Sequence, residues 1–180
     1  MKRRIVLFAV LSVVSSPAFA FFQQPGGDEA SALLASALKF ALTVTAPEQK
    51  ATILCAIADA QTATGDLAGA LKTLALVGVY PERVASLCVL AQAQAAKGDV
   101  AAATLVFQKA METAAKTKAK SGSSTYSTAL AKIAGAQAAT GELPAAQKTA
   151  ALVKSADDRL EILAAIAVAQ AKCGDDAGAL

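Results

Sequence analysis

Histidine and tryptophan are absent from this 180-residue chain, and aromatic residues make up only 4% of it. Histidine is the side chain most often used for acid–base catalysis and for binding transition metals. No glycine-rich phosphate loop follows a strand-like segment, and no serine or lysine stands in a recognisable catalytic constellation. These absences argue against an enzyme, and they indicate neither a metal site nor a cofactor site.

Excess charge is also absent once the first twenty residues are set aside. Three basic residues at positions 2–4 precede an apolar run from Ile5 to Val14, and Ser-Ser-Pro-Ala-Phe-Ala follows that run. This order predicts a secretory signal peptide, cleaved between Ala20 and Phe21, and a periplasmic or secreted mature protein. Since three of the 17 basic residues lie in the signal, the rest carries 14 basic and 14 acidic residues. It therefore lacks the basic footprint of a nucleic-acid-binding domain.

Long hydrophobic runs are missing as well. The signal's apolar run is about ten residues long, whereas a helix that crosses a bilayer needs roughly 20. We therefore expect no stable membrane insertion. Alanine dominates the composition and is the best helix former, so the chain is predicted to consist of closely packed helices.

Four segments share the pattern Leu-x-x-(Ile/Leu)-Ala-x-x-Gln-x-x-x-Gly-(Asp/Glu). They are Leu54–Asp66, Leu87–Asp99, Leu130–Glu142 and Leu163–Asp175, and their glutamines are separated by 33, 43 and 33 residues. Repetition at this period is typical of arrays of helical hairpins. Apolar residues at i, i+3, i+4 and i+7 predict a helix A, which the glycine ends in a left-handed conformation. The acid that follows favours the start of a helix B.

The remaining boundaries follow the same period. Pro47 and Pro81, each followed by glutamate, predict the starts of two A helices. The segment 21–46 resembles a helix B without its helix A and is predicted to cap the N-terminal end of the array. The ten extra residues between the second and third units include the polar segment Lys116–Thr125, which ends in a Ser/Gly cluster, and they predict a longer helix B and then a flexible loop.

The second unit resembles a tetratricopeptide repeat. The resemblance depends on Leu87-x-x-Leu90-Ala91, on Gly98-Asp99, and on Ala103, Phe107 and Ala110 of helix B. Other units match less fully, because the Phe107 position holds Leu74 or Ala150 and no unit has the family's tryptophan. The chain is therefore predicted to be all-α: an α-α superhelix (solenoid) of tandem tetratricopeptide-like repeats. Its predicted division is 1–20 signal peptide, 21–46 half repeat and 47–180 repeat domain with the last repeat incomplete.

The resemblance implies that the A helices line a concave groove that holds a peptide or helix of another protein. By the family's geometry the groove is lined by small and weakly charged residues, namely Thr52, Cys55, Asp59, Cys88, Gln92, Thr128, Gly135, Glu161 and Val168. Such a surface lacks the basic cluster that recognises carboxylates or phosphates, which favours an apolar helix or an extended segment as ligand. The partner is thus predicted to be a protein or peptide.

The recurrent glutamines lie on the buried stripe of helix A and are predicted to bridge to the backbone of a neighbouring helix. Cys55 and Cys88 occupy equivalent positions of consecutive A helices. Helix axes in contact are roughly 8 to 10 Å apart, too far for a disulfide between these positions, so we expect two unbonded packing thiols. Cys173 is the best candidate for pairing with another molecule.

Two other functions stay open from the sequence. The array could be a structural or self-associating region of a larger periplasmic assembly, with its open ends buried by like copies. Less favoured is a small-ligand binder or enzyme that uses the groove thiols. The segment Gly174–Leu180 opens a helix B of about two turns, so part of the apolar face of the fourth helix A is predicted to be uncovered. Self-association through this C-terminal end is one way to cover it.

Overall fold

The computed structural model describes residues 27–121, 123–153 and 156–172, and these residues form eight α-helices and no strand. The helices are α1 (Gly27–Thr43), α2 (Pro47–Thr64), α3 (Leu67–Leu76), α4 (Pro81–Ala96), α5 (Val100–Ser121), α6 (Ser123–Ala139), α7 (Leu143–Ala151) and α8 (Ala156–Lys172). The all-helical prediction is confirmed. The predicted signal peptide and Cys173 lie outside the described residues.

The turn between helix A and helix B has the same hydrogen bonds in three units. Gly65, Gly98 and Gly141 have φ values of 87°, 84° and 82°, which only glycine adopts without strain. The acid after each glycine donates its backbone N–H to the carbonyl of the repeat's glutamine, five residues earlier in helix A, over 2.9, 3.0 and 2.8 Å. This bond satisfies a carbonyl that the helix end would leave free. The Gln-x-x-x-Gly-acid pattern is therefore a helix-ending motif.

The acid also begins helix B in two of the units. The Asp66 carboxylate accepts a hydrogen bond from the Gly69 N–H at 2.9 Å, and the Asp99 carboxylate accepts one from the Ala102 N–H at 3.0 Å. Each is an N-cap, typically contributing about 1 kcal/mol. Glu142 makes no such side-chain bond at the start of α7.

The helices pack in a repeated order. The A helices α2, α4, α6 and α8 lie side by side, each in contact with the next, and the B helices α3, α5 and α7 each contact their own helix A and the following one. α1 packs against α2. Each internal helix A is therefore covered by two B helices and flanked by neighbouring A helices.

The core consists of the equivalent apolar positions of successive units. Leu54, Leu87 and Leu130 are at most 1% exposed, and Phe107 of α5 is the largest fully buried side chain. Alanines fill most of the other buried positions, which allows the helices to approach closely. The positions that the repeat pattern predicts to be buried are thus the ones that form the core.

The glutamines bridge helices as predicted, but to side chains rather than to backbone. The Thr73 hydroxyl of α3 donates to Gln61 Oε1 at 2.7 Å, and the Thr149 hydroxyl of α7 donates to Gln137 Oε1 at 2.8 Å. In both units the threonine follows the glutamine by twelve residues, which places it on the facing side of helix B. The prediction missed this partner because it treated the B helices as apolar faces only.

The second unit lacks this hydrogen bond. The residue twelve positions after Gln94 is Val106, which is 2% exposed and has no donor. Gln94 Oε1 is buried and has no hydrogen-bond partner. An unpaired buried acceptor of this kind costs about 1–3 kcal/mol.

The flexible loop predicted after the longer helix B, in the Ser/Gly cluster that ends Lys116–Thr125, is wrong. α5 continues to Ser121 and α6 begins at Ser123, so the extra residues of this unit lengthen helix B. The serines that suggested a loop are favoured at the first positions of a helix, and the Ala-Lys-rich segment before them consists of helix formers. The longer helix B is confirmed.

Candidate partner-binding surface

The A-helix surface is the exposed face of α2, α4, α6 and α8, on the side away from the B helices. The side chains of Thr52, Val89, Thr128 and Val168 are exposed on it, one from each helix. They alternate along each helix with the buried positions that face the core. Four helices thus contribute to one surface of small and apolar side chains.

The predicted thiols lie low in this surface. Cys55 lies at the seam between α2 and α4, beside Ser86, whereas Cys88 of α4 lies near Lys132 of α6. Cys55 is 6% exposed and Cys88 is 5% exposed, and neither forms a disulfide. Burial raises the pKa of Cys55 to about 11, opposed by the Ser86 hydroxyl beside it, and burial raises the pKa of Cys88 to about 12. Both thiols are therefore protonated at neutral pH and are poor nucleophiles. The prediction that they are not bonded to each other is confirmed.

Asp59 is half-buried at the α2–α4 seam and has an unpaired oxygen. Burial raises the pKa of its carboxyl group, while the hydroxyl of Ser86 on α4 lowers it. Its Oδ1 atom is buried without a hydrogen-bond partner. This oxygen is therefore an unpaired acceptor beneath the surface, where the cost of burial keeps the pKa of the carboxyl group raised.

Arg83 stands at the α4 side of the seam, near Cys55. Its Nη1 donates to the carbonyl of Val77 at 2.8 Å, which ties the start of α4 to the end of the preceding unit. Its Nε atom is buried without a partner, and burial lowers the pKa of the guanidinium. Arg83 therefore has a structural contact and one unused donor.

Two shallow depressions lie along the seam between α4 and α6. One, of about 250 Å³, is lined by Pro81 of α4 and by Ser124, Thr125, Thr128, Ala129 and Lys132 of α6. The other, of about 350 Å³, is lined by Gln92, Ala95 and Ala96 of α4 and by Ala139, Thr140 and Gly141 at the end of α6. Thr128 and Ala139 are eleven residues apart on one helix, so the depressions are separated by about 16 Å.

Gly135 lies on α6 between the two depressions. It lies inside a helix, it is not among the glycines with positive φ, and a Cβ atom added to it would meet nothing within 4 Å. Glycine in a helix interior costs roughly 0.5–1 kcal/mol relative to alanine. Neither the backbone nor a neighbouring side chain of this chain requires glycine here.

The predicted groove residues fall into three groups. Thr52, Thr128 and Val168 are exposed, Asp59, Gln92 and Gly135 are partly exposed, and Cys55 and Cys88 are buried beneath the surface. Glu161 lies on α8, but its side chain is outside the described part. Thr128 and Gln92 line the two separate depressions along the α4–α6 seam, and Gly135 lies on α6 between them, whereas Cys55 and Asp59 both lie beside Ser86 at the α2–α4 seam.

Sequence reasoning missed three polar residues of this surface: Arg83, Ser86 and Lys132. Ser86 occupies the repeat position of Ile53 and Ala129, so a hydroxyl at an otherwise apolar position was the available signal. Lys132 is exposed on the wall of the smaller depression, and Arg83 lies in the first turn of α4. No sequence feature distinguished the two basic residues from solvated ones.

Within the described residues, no three histidine, cysteine or acidic side chains are grouped so that they could hold a metal ion. None of the described helices is both long enough and apolar enough to cross a membrane. Comparison of the chain with protein-family models, with curated proteins and with solved structures finds no match.

Proposed function

We propose that this chain is an exported scaffold of tetratricopeptide-like repeats, stacked as a superhelix, that binds a protein partner on its A-helix surface. The side-by-side A helices and the repeated Gly-acid turns support the architecture. Residues 1–20 contain basic residues, then an apolar run, then small residues, and this order supports export. The A-helix surface supports the binding function.

Gly135 is the observation that carries the proposal. A glycine that weakens its helix and has open space in place of a side chain is expected where another backbone approaches closely. It lies on the exposed face between two depressions whose walls are formed by different helices. A partner segment that lies along the α4–α6 seam would pass directly over it.

The chemistry of the surface favours an extended, largely uncharged segment as the ligand. An extended chain rises about 3.3 Å per residue, so about five residues span the 16 Å between the depressions. Hydroxyl and amide groups of Thr128 and Gln92 are available there to hydrogen-bond the backbone of such a segment.

The test is retention of periplasmic proteins by the immobilised chain and by two variants. Gly135→Arg places a long side chain on the A-helix surface, where nothing of this chain obstructs it. Ala115→Arg is the matched control, because Ala115 is exposed on helix B α5. We expect a specific protein that is retained by the unchanged chain and by Ala115→Arg but lost by Gly135→Arg. Equal retention by all three would exclude the A-helix surface as the binding site.

A catalytic use of the thiols is not supported. A nucleophilic cysteine needs a lowered pKa and access to substrate, whereas burial here raises the pKa of both thiols and leaves them at most 6% exposed.

A further inference from the structure

The α2–α4 seam differs from the two later seams between A helices because it contains an ionisable pair of positions. Asp59 of α2 lies beside Ser86 of α4, and the Ser86 hydroxyl donates a hydrogen bond to the Asp59 carboxyl group. The equivalent repeat positions at the other seams hold no ionisable residue: Gln92 and Ala129 for α4 and α6, Gly135 and Ile162 for α6 and α8. A proton can therefore be taken up at this position only between the first two units.

The Asp59 carboxyl group lies deeper between the helices than a solvated carboxylate does. Its Oδ1 atom is buried and has no hydrogen-bond partner. When the group is ionised, this oxygen carries negative charge that water does not hydrate, and burying such charge without a partner is unfavourable. Protonation removes the charge, so the packed seam is under less strain from burial in the protonated state.

The charged side chains of the surrounding helices do not offset this burial. On α4, Glu82 and Arg83 act on the thiol of Cys55 rather than on Asp59, and Arg83 donates to a backbone carbonyl of the preceding unit. α1 and α3 also pack on α2, and their described charged side chains are all exposed: Glu29, Lys39 and Lys72. Among the described side chains, a hydroxyl group rather than a cation thus opposes the effect of burial on this carboxyl group.

Separation of α2 from α4 would give the ionised carboxyl group access to water. Folded proteins open locally, and they do so most readily where the packing is least favourable. Ionised Asp59 lowers the free energy needed for such an opening, because the open state hydrates its Oδ1 atom and the closed state does not. The neutral carboxyl group gains less from hydration, so acid favours the closed seam.

We propose that Asp59 makes the α2–α4 seam a pH-sensitive joint of the array, which is held closed when its carboxyl group is protonated and opens more readily when that group is ionised. The seam is part of the A-helix surface, so its opening would separate the portions of that surface that belong to the first and second units. The proposal holds whether or not the surface binds a partner.

The direction of the pH dependence follows from the effect of burial on the carboxyl group. Burial raises the pKa of Asp59 above its ordinary value of 3.8, and the Ser86 hydroxyl only partly opposes this. The closed seam therefore binds the proton at a higher pH than the open seam does. Its stability should rise as the pH falls from above the raised pKa towards 3.8, and it should be constant below that value.

Hydrogen exchange followed by mass spectrometry tests the proposal on the unchanged chain and on two variants. Protection is measured for peptides of each helix from neutral pH to about pH 4, the ordinary carboxyl range, after correction for the intrinsic chemical exchange rate. Asp59→Asn keeps the shape of the side chain and removes its titration. Ser86→Ala removes the hydroxyl that favours the ionised form. Peptides of α6 and α7 are the internal control, because Gly135 of α6 stands where α2 has Asp59.

We expect the protection of α2 and α4 to increase as the pH falls, and to increase by more than that of α6 and α7. The increase should be at most about tenfold for each pH unit between the two pKa values of the carboxyl group. Asp59→Asn should lack this additional increase. In Ser86→Ala it should begin at a higher pH, because loss of the hydroxyl raises the pKa of Asp59 further.

Three results would overturn the proposal: equal gains of protection in all four helices, an additional gain in α2 and α4 that Asp59→Asn retains, or a loss of protection there as the pH falls. If Ser86→Ala does not fold, the comparison of Asp59→Asn with the unchanged chain still decides. A carbon-13 titration of the Asp59 carboxyl group in the unchanged chain is an independent readout, and a pKa at the ordinary value of 3.8 would also overturn the proposal.

Discussion

Replacing Val106 by threonine should stabilise the protein or leave its stability unchanged, although the substitution puts a hydroxyl group in the core. The first and third units each have a threonine twelve residues after the glutamine of helix A, and its hydroxyl donates to the glutamine Oε1 atom. In the second unit that position is Val106, and Gln94 Oε1 is buried without a partner. Threonine at this position supplies the missing donor.

The expected magnitude follows from two opposing contributions. Burying a hydroxyl without a hydrogen bond costs about 1–3 kcal/mol in proteins. Pairing the Gln94 acceptor recovers a penalty of about the same size. For Val106→Thr we therefore expect a change in the free energy of unfolding between about zero and a gain of about 1 kcal/mol. For a chain of this length, 1 kcal/mol shifts Tm by roughly 2–4 °C.

Urea and thermal unfolding of Val106→Thr should be compared with Val84→Thr. Val84 is fully buried in α4 and has no unpaired acceptor assigned to it, so threonine there should lose about 1–3 kcal/mol. Thr73→Val is the reverse test, because it orphans Gln61 Oε1 and should destabilise. If Val106→Thr loses as much stability as Val84→Thr, the unpaired acceptor does not carry the cost that we assign to it.

Three further predictions concern the helix ends, the thiols and the core register. Gly98→Ala should lower the free energy of unfolding by about 1–2 kcal/mol because Gly98 has a φ of 84°. Gly135→Ala should raise it by about 0.5–1 kcal/mol, because this glycine lies inside a helix with open space beside it. Calorimetry should therefore show Tm shifts of opposite sign for the two variants. Burial raises the pKa of Cys88 from 9.0 to about 12, so the contribution of the buried thiol to stability should be complete below pH 9 and fall between pH 9 and 12. Cys88→Ala should lack that part of the pH dependence. Equal profiles of unfolding free energy against pH for the variant and the unchanged chain would contradict this prediction. Leu90→Asp should lower the free energy of unfolding by more than about 4 kcal/mol because Leu90 is fully buried. Lys118→Ala should lower it by less than about 1 kcal/mol, because it removes only the contact of the Lys118 ammonium group with the Tyr126 ring, at 5.0 Å from the ring centre. Equal Tm shifts for the two variants would mean that the register is wrong.

The helical units could be predicted because their ends are encoded locally. Gly65, Gly98 and Gly141 supply the positive φ that ends helix A, and Pro47 and Pro81 begin two of the A helices. The ability of glycine to adopt this φ is a local property and does not depend on contacts with the rest of the fold. The apolar spacing that repeats between these markers then fixes which face of each helix is buried.

Features that depend on contacts between helices were harder to predict from the sequence. The partner of Gln61 is Thr73, and recognising it requires the relative rotation of α2 and α3. The start of α6 at Ser123 was missed because serine and glycine favour loops as well as helix starts, and packing decides between them. The seam formed by Cys55, Asp59 and Ser86 likewise exists only once α2 and α4 lie side by side.

The most direct test of the binding surface is photocrosslinking in the cell with a photoreactive amino acid placed at one of two positions. Position 135 lies on the A-helix surface at the open face of α6, and position 115 is exposed on helix B α5. Our account predicts adducts with a distinct second protein from position 135 and none from position 115. Adducts only from position 115, or equal adducts from both, would contradict it.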